Sequence, residues 1–467
     1  MLIPNMLHSP LPETSAPVES AVARQVYRSL MIAAPTPESL NASRLFLESQ
    51  LEQAAGLPCD LPARPEALIG WMENQALATG ERYAAYLEAR KAGHPRSYFS
   101  CRAHALSFLQ GVAPTKLVDG AWLYGLLANA GDLRFYSLIR TYLEELGDGD
   151  PAQNHVVLYQ RLLVEQGCEQ LPELSDEHYL QGAIQLALGH HAQAFIPEVI
   201  GYNLGYEQLP LHLLITAFEL NELDIDPYYF TLHVTVDNAS TGHARKAVQA
   251  LLDNLPQTGD RQGFLERVAR GYRLNDLGLG STAVIEAFDL ESELVQMLER
   301  KRVFGQQVHS DFCRIEGRTV NEWLSTPGQI RGFLQALERR GWIRRHQDPR
   351  ESRFWSLIEG SDAQMFGVFN HFEKQLLWDW IAGDWLGSDA SSSQQGRARA
   401  FRPRPRKRVA VTPQVVDPEH ELSQLQREID ALPAAARLER LIGLLAPASH
   451  ASPEGLLATR LFVAALG

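Results

Sequence analysis

Residues 229–252 read YFTLHVTVDNASTGHARKAVQALL and contain the densest set of possible metal ligands in the chain. His233 and Asp237 are four residues apart, so on an α-helix their side chains lie about 40° apart on one face and could hold one ion. His243 follows six residues later, about 240° around an ideal helix, and would point away from that pair. The intervening NASTG run is rich in poor helix formers, so we expect the helix to loosen there and bring His243 to the same site.

The same stretch has two other interpretations. TLHVTV (231–236) is rich in β-branched residues and could form a strand. The spacing of His233 and Asp237 and the following ARKAVQALL favour a helix, which we predict. The helix could also carry two ordinary polar histidines that bind no metal.

Further ligand candidates occur in two earlier segments. TYLEELGDGDPAQNHVVLYQRLL (141–163) places Glu145 before a glycine-rich break and His155 at the start of the next apolar run. HHAQAFIPEVIGYNLGYEQLP (190–210) places Glu198 in an apolar stretch. A carboxylate there is costly to bury unless it is paired or binds metal, so we prefer Glu198 to Glu144, which could be solvated. Glu207, further along, could be a surface residue. Taken singly, Glu145 could be a surface acid and His155 a polar helix start.

Glutamate, aspartate and histidine side chains on successive helices are the ligands with which helical bundles hold two metal ions. The order of the motifs resembles the haem-oxygenase-like di-iron oxidases, in the group called iron-containing redox enzymes. The segments that carry the resemblance are VAPTKLVDGAWLYG (112–125), EELGDGDPAQNH (144–155), FIPEVIGYNLGYE (195–207) and HVTVDNASTGHARKA (233–247).

The resemblance implies an all-α, haem-oxygenase-like helical bundle and a specific set of ligands. Carried onto this chain, the ligands are Glu145, His155, Glu198, His233, Asp237 and His243. It also implies two Fe(II) ions, with manganese as an alternative, and activation of O2 to oxidise an amine, amino acid, fatty acid or related small molecule. An external reductant could supply electrons.

Other residues near the motifs have secondary roles in this interpretation. Asp119 could add a carboxylate, although we expect it to cap the helix that begins near Ala121 and Trp122. Four aromatic residues adjoin the ligands and could line a substrate pocket, although aromatic residues at helical spacing are more often core. They are Phe195, Tyr202, Tyr206 and Tyr229.

Length and composition set the broad class. The chain has 467 residues, 45% of them hydrophobic, which suits a soluble protein of two or three domains. The net charge is −13, which argues against a general nucleic-acid binder. No membrane-spanning or signal segment is predicted, and the four cysteines are far apart, so we expect a cytoplasmic protein with buried free thiols.

The chain divides into six predicted segments. They are a disordered N-terminus (1–20), a helical N-terminal extension (21–97), the haem-oxygenase-like di-iron domain (98–302), a winged-helix-like α+β region (303–386), an Arg/Pro/Ser-rich linker (387–417) and a C-terminal helical segment (418–467).

The winged-helix-like region supports an alternative function. Residues 318–358 are predicted to form helix, turn and helix, followed by two short strands around a DPRES turn. In a regulator the second helix would enter the major groove and the nearby arginines would meet phosphates. The alternatives to an oxidase are therefore a DNA-binding regulator with a ligand-sensing helical body and a metal-free helical scaffold. The acidic body makes nucleic-acid binding the weaker prediction.

The C-terminal segment repeats part of the N-terminal extension. PEGLLATRLF (453–462) matches PESLNASRLF (37–46) at seven positions: Pro, Glu, Leu, Ala, Arg, Leu and Phe. We interpret it as a second copy of the N-terminal helices, which docks in another subunit or remains from a longer tandem protein. The first possibility predicts a homodimer.

Overall fold

The computed structural model describes residues 21–236, 239, 241–359, 363–365, 367–385 and 418–466. The regular structure of these residues is helical except for one two-stranded antiparallel sheet. The all-α prediction is therefore confirmed. None of the helices described is long and apolar enough to cross a bilayer. The predicted disordered N-terminus (1–20) and the linker (387–417) lie outside the described residues.

The N-terminal extension consists of three helices that pack onto the rest of the chain. They are α1 (Val22–Leu30), α2 (Pro37–Ala54) and α3 (Leu68–Lys91), with a 3-10 turn at Pro65–Ala67. The Thr36 hydroxyl caps α2 by accepting a hydrogen bond from the Ser39 amide at 3.2 Å, and Pro37 fits the first turn. Leu47 and Leu51 of α2 are buried in the largest apolar core, which they share with the central helices.

The central helices run from residue 102 to residue 305. They are α4 (Arg102–Gly111), α5 (Ala113–Lys116), α6 (Tyr136–Glu145), α7 (His155–Glu165), α8 (Glu177–His190), α9 (Ile196–Tyr206), α10 (Leu211–Glu222), α11 (Tyr228–Val236), α12 (His243–Asp253), α13 (Arg261–Arg273), α14 (Ser281–Glu286) and α15 (Leu290–Gly305). The 3-10 segments among them are Ala121–Asn129, Leu133–Phe135, Gly147–Gly149 and Leu274–Asp276. Helices α9 and α13 approach closely, because a Cβ on Gly201 or Gly271 would overlap the backbone of the other helix.

The helical prediction for the TLHVTV stretch is confirmed, and the helix ends where poor helix formers begin. Helix α11 stops at Val236, and α12 starts at His243 after Gly242 in an extended conformation. The direction of the His243 side chain is therefore set by the start of α12 and not by its angular position relative to α11. The residues described between the two helices, Ala239, Thr241 and Gly242, are not helical.

A tight turn joins α6 to α7. Gly147, Asp148 and Gly149 have φ angles of 64°, 50° and 84°, a left-handed region that glycine adopts readily. An added Cβ at Gly147 would overlap the backbone of Asn154. The chain thus folds back sharply, and Glu145 at the end of α6 lies close to His155 at the start of α7.

The region 303–386 contains the predicted helix-turn-helix but lacks the predicted wing strands. Its elements are β1 (Arg314–Ile315), β2 (Arg318–Thr319), α16 (Val320–Ser325), α17 (Ile330–Arg339), a 3-10 turn (Pro349–Glu351), α18 (Arg353–Glu359) and α19 (His371–Ala382). The prediction of two strands around DPRES is wrong. Asp348 caps a 3-10 turn, and Phe354, Trp355 and Ile358 bury one face of a helix instead.

Several arginines that could have met phosphates contact other side chains of the chain instead. Arg339 forms a bidentate pair with Glu316 at 2.6 and 2.8 Å. Arg331 lies 3.1 Å from Glu291, and Arg345 stacks over a tryptophan ring. These contacts favour a packing role for the region.

The C-terminal segment folds back onto the central helices. Its helices are α20 (Pro418–Asp430), α21 (Ala434–Leu444) and α22 (Pro453–Leu466). The two copies of the repeat occupy different places: α2 packs mainly on α8, and α22 packs on the turn Gly147–Gly149. Phe46 and Phe462, which match in the repeat, are both buried in the largest core.

The four cysteines are free thiols, and the prediction that they are buried is wrong for two of them. Cys101 and Cys168 are buried, and Cys59 and Cys313 are partly exposed. Burial raises the pKa of both Cys101 and Cys168 to about 12. These two thiols are therefore protonated at neutral pH and have a packing role.

Candidate metal centre

Four buried side chains converge inside the bundle of central helices. They are Asp119, Glu145, His155 and His233, and one ligand-type atom from each lies within 4.8 Å of those of the others. Asp119 precedes the 3-10 segment Ala121–Asn129, Glu145 ends α6, His155 begins α7 and His233 lies in α11. Each residue is at most 4% exposed, so bulk water is kept away from this group.

A second group shares one member with the first. Glu145, Glu207 and His243 also place ligand-type atoms within 4.8 Å of one another, and all three are buried. Glu207 is the residue that follows the last turn of α9, and His243 is the first residue of α12. Helices that are distant in sequence therefore meet at Glu145.

The two oxygens of Glu145 face different histidines. Oε2 lies 2.5 Å from His155 Nδ1, and Oε1 lies 3.1 Å from His243 Nδ1. Carboxylates that present one oxygen to each of two ligand sets bridge the ions in the di-metal sites of helical bundles. Glu145 is placed to act in this way.

The ring of His233 is oriented by the backbone. His233 Nδ1 lies 2.8 Å from the carbonyl oxygen of Tyr229, which can only accept, so Nδ1 carries the hydrogen. In the neutral ring Nε2 then presents a lone pair, and it faces Asp119 Oδ2 at 3.1 Å. Two lone pairs at this distance repel unless a proton or a cation lies near both. Histidines that ligate metals are commonly oriented by such a bond from the other ring nitrogen.

The ring of His243 is also oriented by a hydrogen bond, but here Nε2 makes that bond and Nδ1 faces the cluster. His243 Nε2 lies 2.9 Å from Glu144 Oε2, and Lys246 also binds that carboxylate. Burial would raise the pKa of Glu144, but His243 and Lys246 lower it to about 2. Glu144 is therefore ionised and accepts the Nε2 hydrogen. The other nitrogen, Nδ1, faces Glu145 and Glu207 at 3.1 and 3.2 Å.

Two enclosed atoms test whether these residues fit a metal ion. Glu145 Oε2 and His155 Nδ1 make no hydrogen bond of acceptable geometry within the described chain, although they face each other. Buried polar atoms are normally paired, and an ion that binds both would satisfy them. The set of imidazole nitrogens and carboxylate oxygens suits iron, manganese or zinc. The residues present therefore fit the metal that the sequence predicts.

The charge of the cluster also favours a cation. Burial would raise the pKa of Asp119, but Lys116 and His233 keep it well below its usual range. Burial likewise opposes ionisation of Glu145, and His155 and His243 lower its pKa to about 2. Both carboxylates are thus ionised at neutral pH, as ligands of a divalent ion must be.

Comparison with known proteins agrees with this geometry. Residues 106–276 match the model of a family described as iron-containing redox enzymes. These residues form a haem-oxygenase-like domain. No curated protein and no solved structure matches the chain. The matched range contains every residue of the two groups described above, and it lies inside the predicted domain 98–302.

Asp119 is part of the cluster of this haem-oxygenase-like domain and is not a helix cap. The cap position of the 3-10 segment is Gly120, with φ 82°, which leaves the Asp119 side chain facing inward. Tyr206 and Tyr229 donate hydroxyl hydrogen bonds to its two oxygens at 2.8 and 2.6 Å. Burial and the charge of Asp119 raise the pKa of both tyrosines well above the usual value, so they remain donors.

Glu198 does not join the cluster. Its carboxylate accepts two hydrogen bonds from Arg267 of α13, both at 2.6 Å. Glu198 and Glu207 are nine residues apart, about 180° around a helix, so they point in opposite directions. The burial cost that made Glu198 a candidate ligand is offset by an ion pair. The carboxylate from α9 in the cluster is Glu207, although the sequence suggested a surface residue.

The remaining predicted residues divide between cluster and core. Asp237 lies outside the described residues. Tyr206 and Tyr229 contact Asp119, whereas the Tyr202 hydroxyl donates to Gln181 at 3.0 Å and Phe195 packs in the apolar core. The latter two therefore have the packing role that is more usual for aromatic residues.

A small pocket adjoins the second group of ligand candidates. Its cavity volume is about 30 Å³, and it is lined by Met72, Gln75, Ala76, Gln208, Leu209, Ala239 and Ala244. Gln208 and Ala244 directly follow Glu207 and His243 in the chain. The lining carries no charged side chain, and the four aromatic residues predicted to line a pocket are not part of it.

Sequence inspection missed Glu207 and the role of Glu144. A signal for Glu207 exists, because Asn203 and Glu207 are four residues apart and therefore lie on the same face at the end of α9. Asn203 is fully buried and accepts a hydrogen bond from Trp122 Nε1 at 2.9 Å. The polar stripe thus marks the face of α9 that turns inward.

Proposed function

We propose that this chain is a non-haem di-iron oxidase or oxygenase that uses O2 to oxidise a small molecule, such as an amine, an amino acid or a fatty-acid-like compound. The observation that carries the proposal is the position of Glu145, whose two oxygens face histidines of two overlapping buried groups. The family match, which is to iron-containing redox enzymes, supports iron as the metal.

The two ions would be held by different side chains. Asp119, His155 and His233 would bind one ion, Glu207 and His243 would bind the other, and Glu145 would bridge them. When bound, Fe(II) would supply electrons for the reduction of O2. Repeated turnover would then take electrons from the oxidised substrate or from an external reductant.

The residues around the ions control proton positions and exclude water. Tyr206 and Tyr229 keep hydrogen bonds on Asp119, which holds its two oxygens in place. Lys116 Nζ lies 3.1 Å from the Tyr206 hydroxyl and offsets the negative charge of the group. The rings of Tyr159, Tyr229 and His233 pack together at centroid distances of 4.7 Å, which closes this side of the cluster. A closed, oriented set of ligands suits chemistry that must be kept from bulk water.

The proposal predicts consumption of O2 by iron-loaded protein. Anaerobic loading with Fe(II), removal of unbound iron and addition of O2 should give uptake of about one O2 for every two irons. An oxygen electrode measures the uptake, and protein without iron is the control. Bound iron that consumes no O2 beyond that control would contradict the proposed activity.

A further inference from the structure

The C-terminal segment, residues 418–466, contacts the turn that carries two of the ligand candidates. Glu145 is the last residue of α6, and His155 is the first residue of α7. Helix α22 packs directly on the turn Gly147–Gly149 between them. The relative position of the two side chains therefore depends on a part of the chain more than 250 residues away.

Three hydrogen bonds connect the segment to this turn, and they bracket the two candidate ligands. Before Glu145, the Tyr142 hydroxyl donates to the carbonyl oxygen of Leu445 at 2.6 Å. Within the turn, Arg460 Nη1 donates to the carbonyl oxygen of Gly149 at 2.7 Å. Immediately before His155, Asn154 Nδ2 lies 3.4 Å from His450 Nδ1.

Asn154 transmits the contact to His155. Its side-chain oxygen caps α7 by accepting a hydrogen bond from the Val157 amide at 3.0 Å. Its side-chain nitrogen lies 3.3 Å from the carbonyl oxygen of Leu146, the residue after Glu145. Asn154 thus joins both ends of the turn, and His450 holds Asn154 from the C-terminal side.

The contact is closely packed as well as hydrogen bonded. A Cβ at Gly149 would overlap the Leu456 carbonyl and the Arg460 side chain, so only glycine allows this approach. Leu445, Ala458 and Phe462 are at most 1% exposed and share a core with Tyr142 and Leu146. Burial of these side chains provides the affinity, and the hydrogen bonds fix the position.

We propose that residues 418–466 form a clamp that fixes Glu145 and His155 for metal binding, with Arg460 and His450 as positioning residues. This proposal rests on the proposed function, because it takes both residues to be iron ligands. The clamp holds the turn in the one conformation in which the end of α6 and the start of α7 present their side chains to the same ions.

The repeat supplies a matched control for the clamp. Arg44 occupies the position in the N-terminal copy that Arg460 occupies in the C-terminal copy. The Arg44 side chain is 57% exposed and pairs with Glu48 of its own helix at 3.0 Å. Replacing Arg44 removes the same side chain without touching the turn.

The first test is the rate of iron release from full-length protein. Arg460→Ala and His450→Ala, loaded anaerobically with Fe(II), should lose iron to a ferrous chelator about tenfold faster than the unchanged protein, as is typical when a group that orients a ligand is removed. Arg44→Ala should match the unchanged protein. Arg460→Lys should restore slow release, because an ammonium group can also donate to the Gly149 carbonyl. Equal release rates for Arg460→Ala and Arg44→Ala would overturn the proposal.

The second test needs no iron and separates the clamp from the proposed function. Hydrogen–deuterium exchange of the metal-free chains should be faster in peptides covering residues 142–158 of Arg460→Ala and His450→Ala, and unchanged in α12. If the unchanged protein binds no iron, the proposed function fails, and the exchange rates alone decide on the clamp. If His450→Ala does not fold, Arg460→Ala decides, because its side chain is exposed. Exchange in the turn that equals that of Arg44→Ala would refute the clamp.

Discussion

Replacing Glu145 with alanine should remove iron from both positions of the centre. Glu145 is the one residue that belongs to both groups of ligand candidates in the described chain, and its two oxygens face His155 and His243. Removal of an orienting group commonly lowers metal affinity 10- to 100-fold, so loss of a bridging ligand should lower it by more than roughly 100-fold. Iron analysis after anaerobic loading and desalting measures the effect.

A glutamate on the neighbouring helix serves as the control for this substitution. Glu165 ends α7 and is exposed, so Glu165→Ala removes the same side chain without reaching the cluster. It should retain as much iron as the unchanged protein. Circular dichroism should show that both variants keep their helices. A Glu145→Ala variant that keeps its full iron content would show that Glu145 does not bridge two ions.

Glu207→Ala should lower the iron content and Glu198→Ala should not, although both residues are buried acids of the same chain segment. Glu207 faces His243 at 3.2 Å. Its loss should therefore weaken the binding of one ion and leave the group of Asp119, His155 and His233 in place. Iron content should fall by about half. Glu198 is bound by Arg267, so its loss should leave the iron content unchanged.

The cost of Glu198→Ala should appear in stability. The substitution leaves a partly buried guanidinium group without its carboxylate, which costs about 1–3 kcal/mol of unfolding free energy. The Arg267 side chain is 37% exposed and can reach water, so the lower half of this range is expected. Denaturant unfolding and iron analysis of the two variants measure both effects. Loss of iron from Glu198→Ala with retention in Glu207→Ala would reverse the assignment.

The sequence predicted the helical class and the residues whose role follows from local order. The end of α11 at Val236 agrees with the poor helix formers that follow it in the sequence, and the turn after Glu145 follows from its glycines. Both features depend on a few residues that are neighbours in the sequence. The match to residues 106–276 agrees with the resemblance found in the same motifs.

Some roles could not be predicted from the sequence, because they depend on the folded structure around the residue. Glu198 in an apolar stretch implies a buried charge, but only the fold shows that its partner is Arg267, which is 69 residues away. Asp119 precedes residues that begin a helical segment, which suggests a cap, whereas the left-handed Gly120 turns its side chain inward. The prediction of strands around DPRES is also wrong, because Asp348 and Pro349 start a helical turn as readily as they start a hairpin loop.

The central claim is that two irons share Glu145, and anomalous diffraction at the iron edge from crystals loaded anaerobically with Fe(II) tests it most directly. We predict two anomalous peaks in each chain, both within bonding distance of Glu145. One peak should adjoin Asp119, His155 and His233, and the other should adjoin Glu207 and His243. No peak, or peaks that do not touch Glu145, would contradict this account.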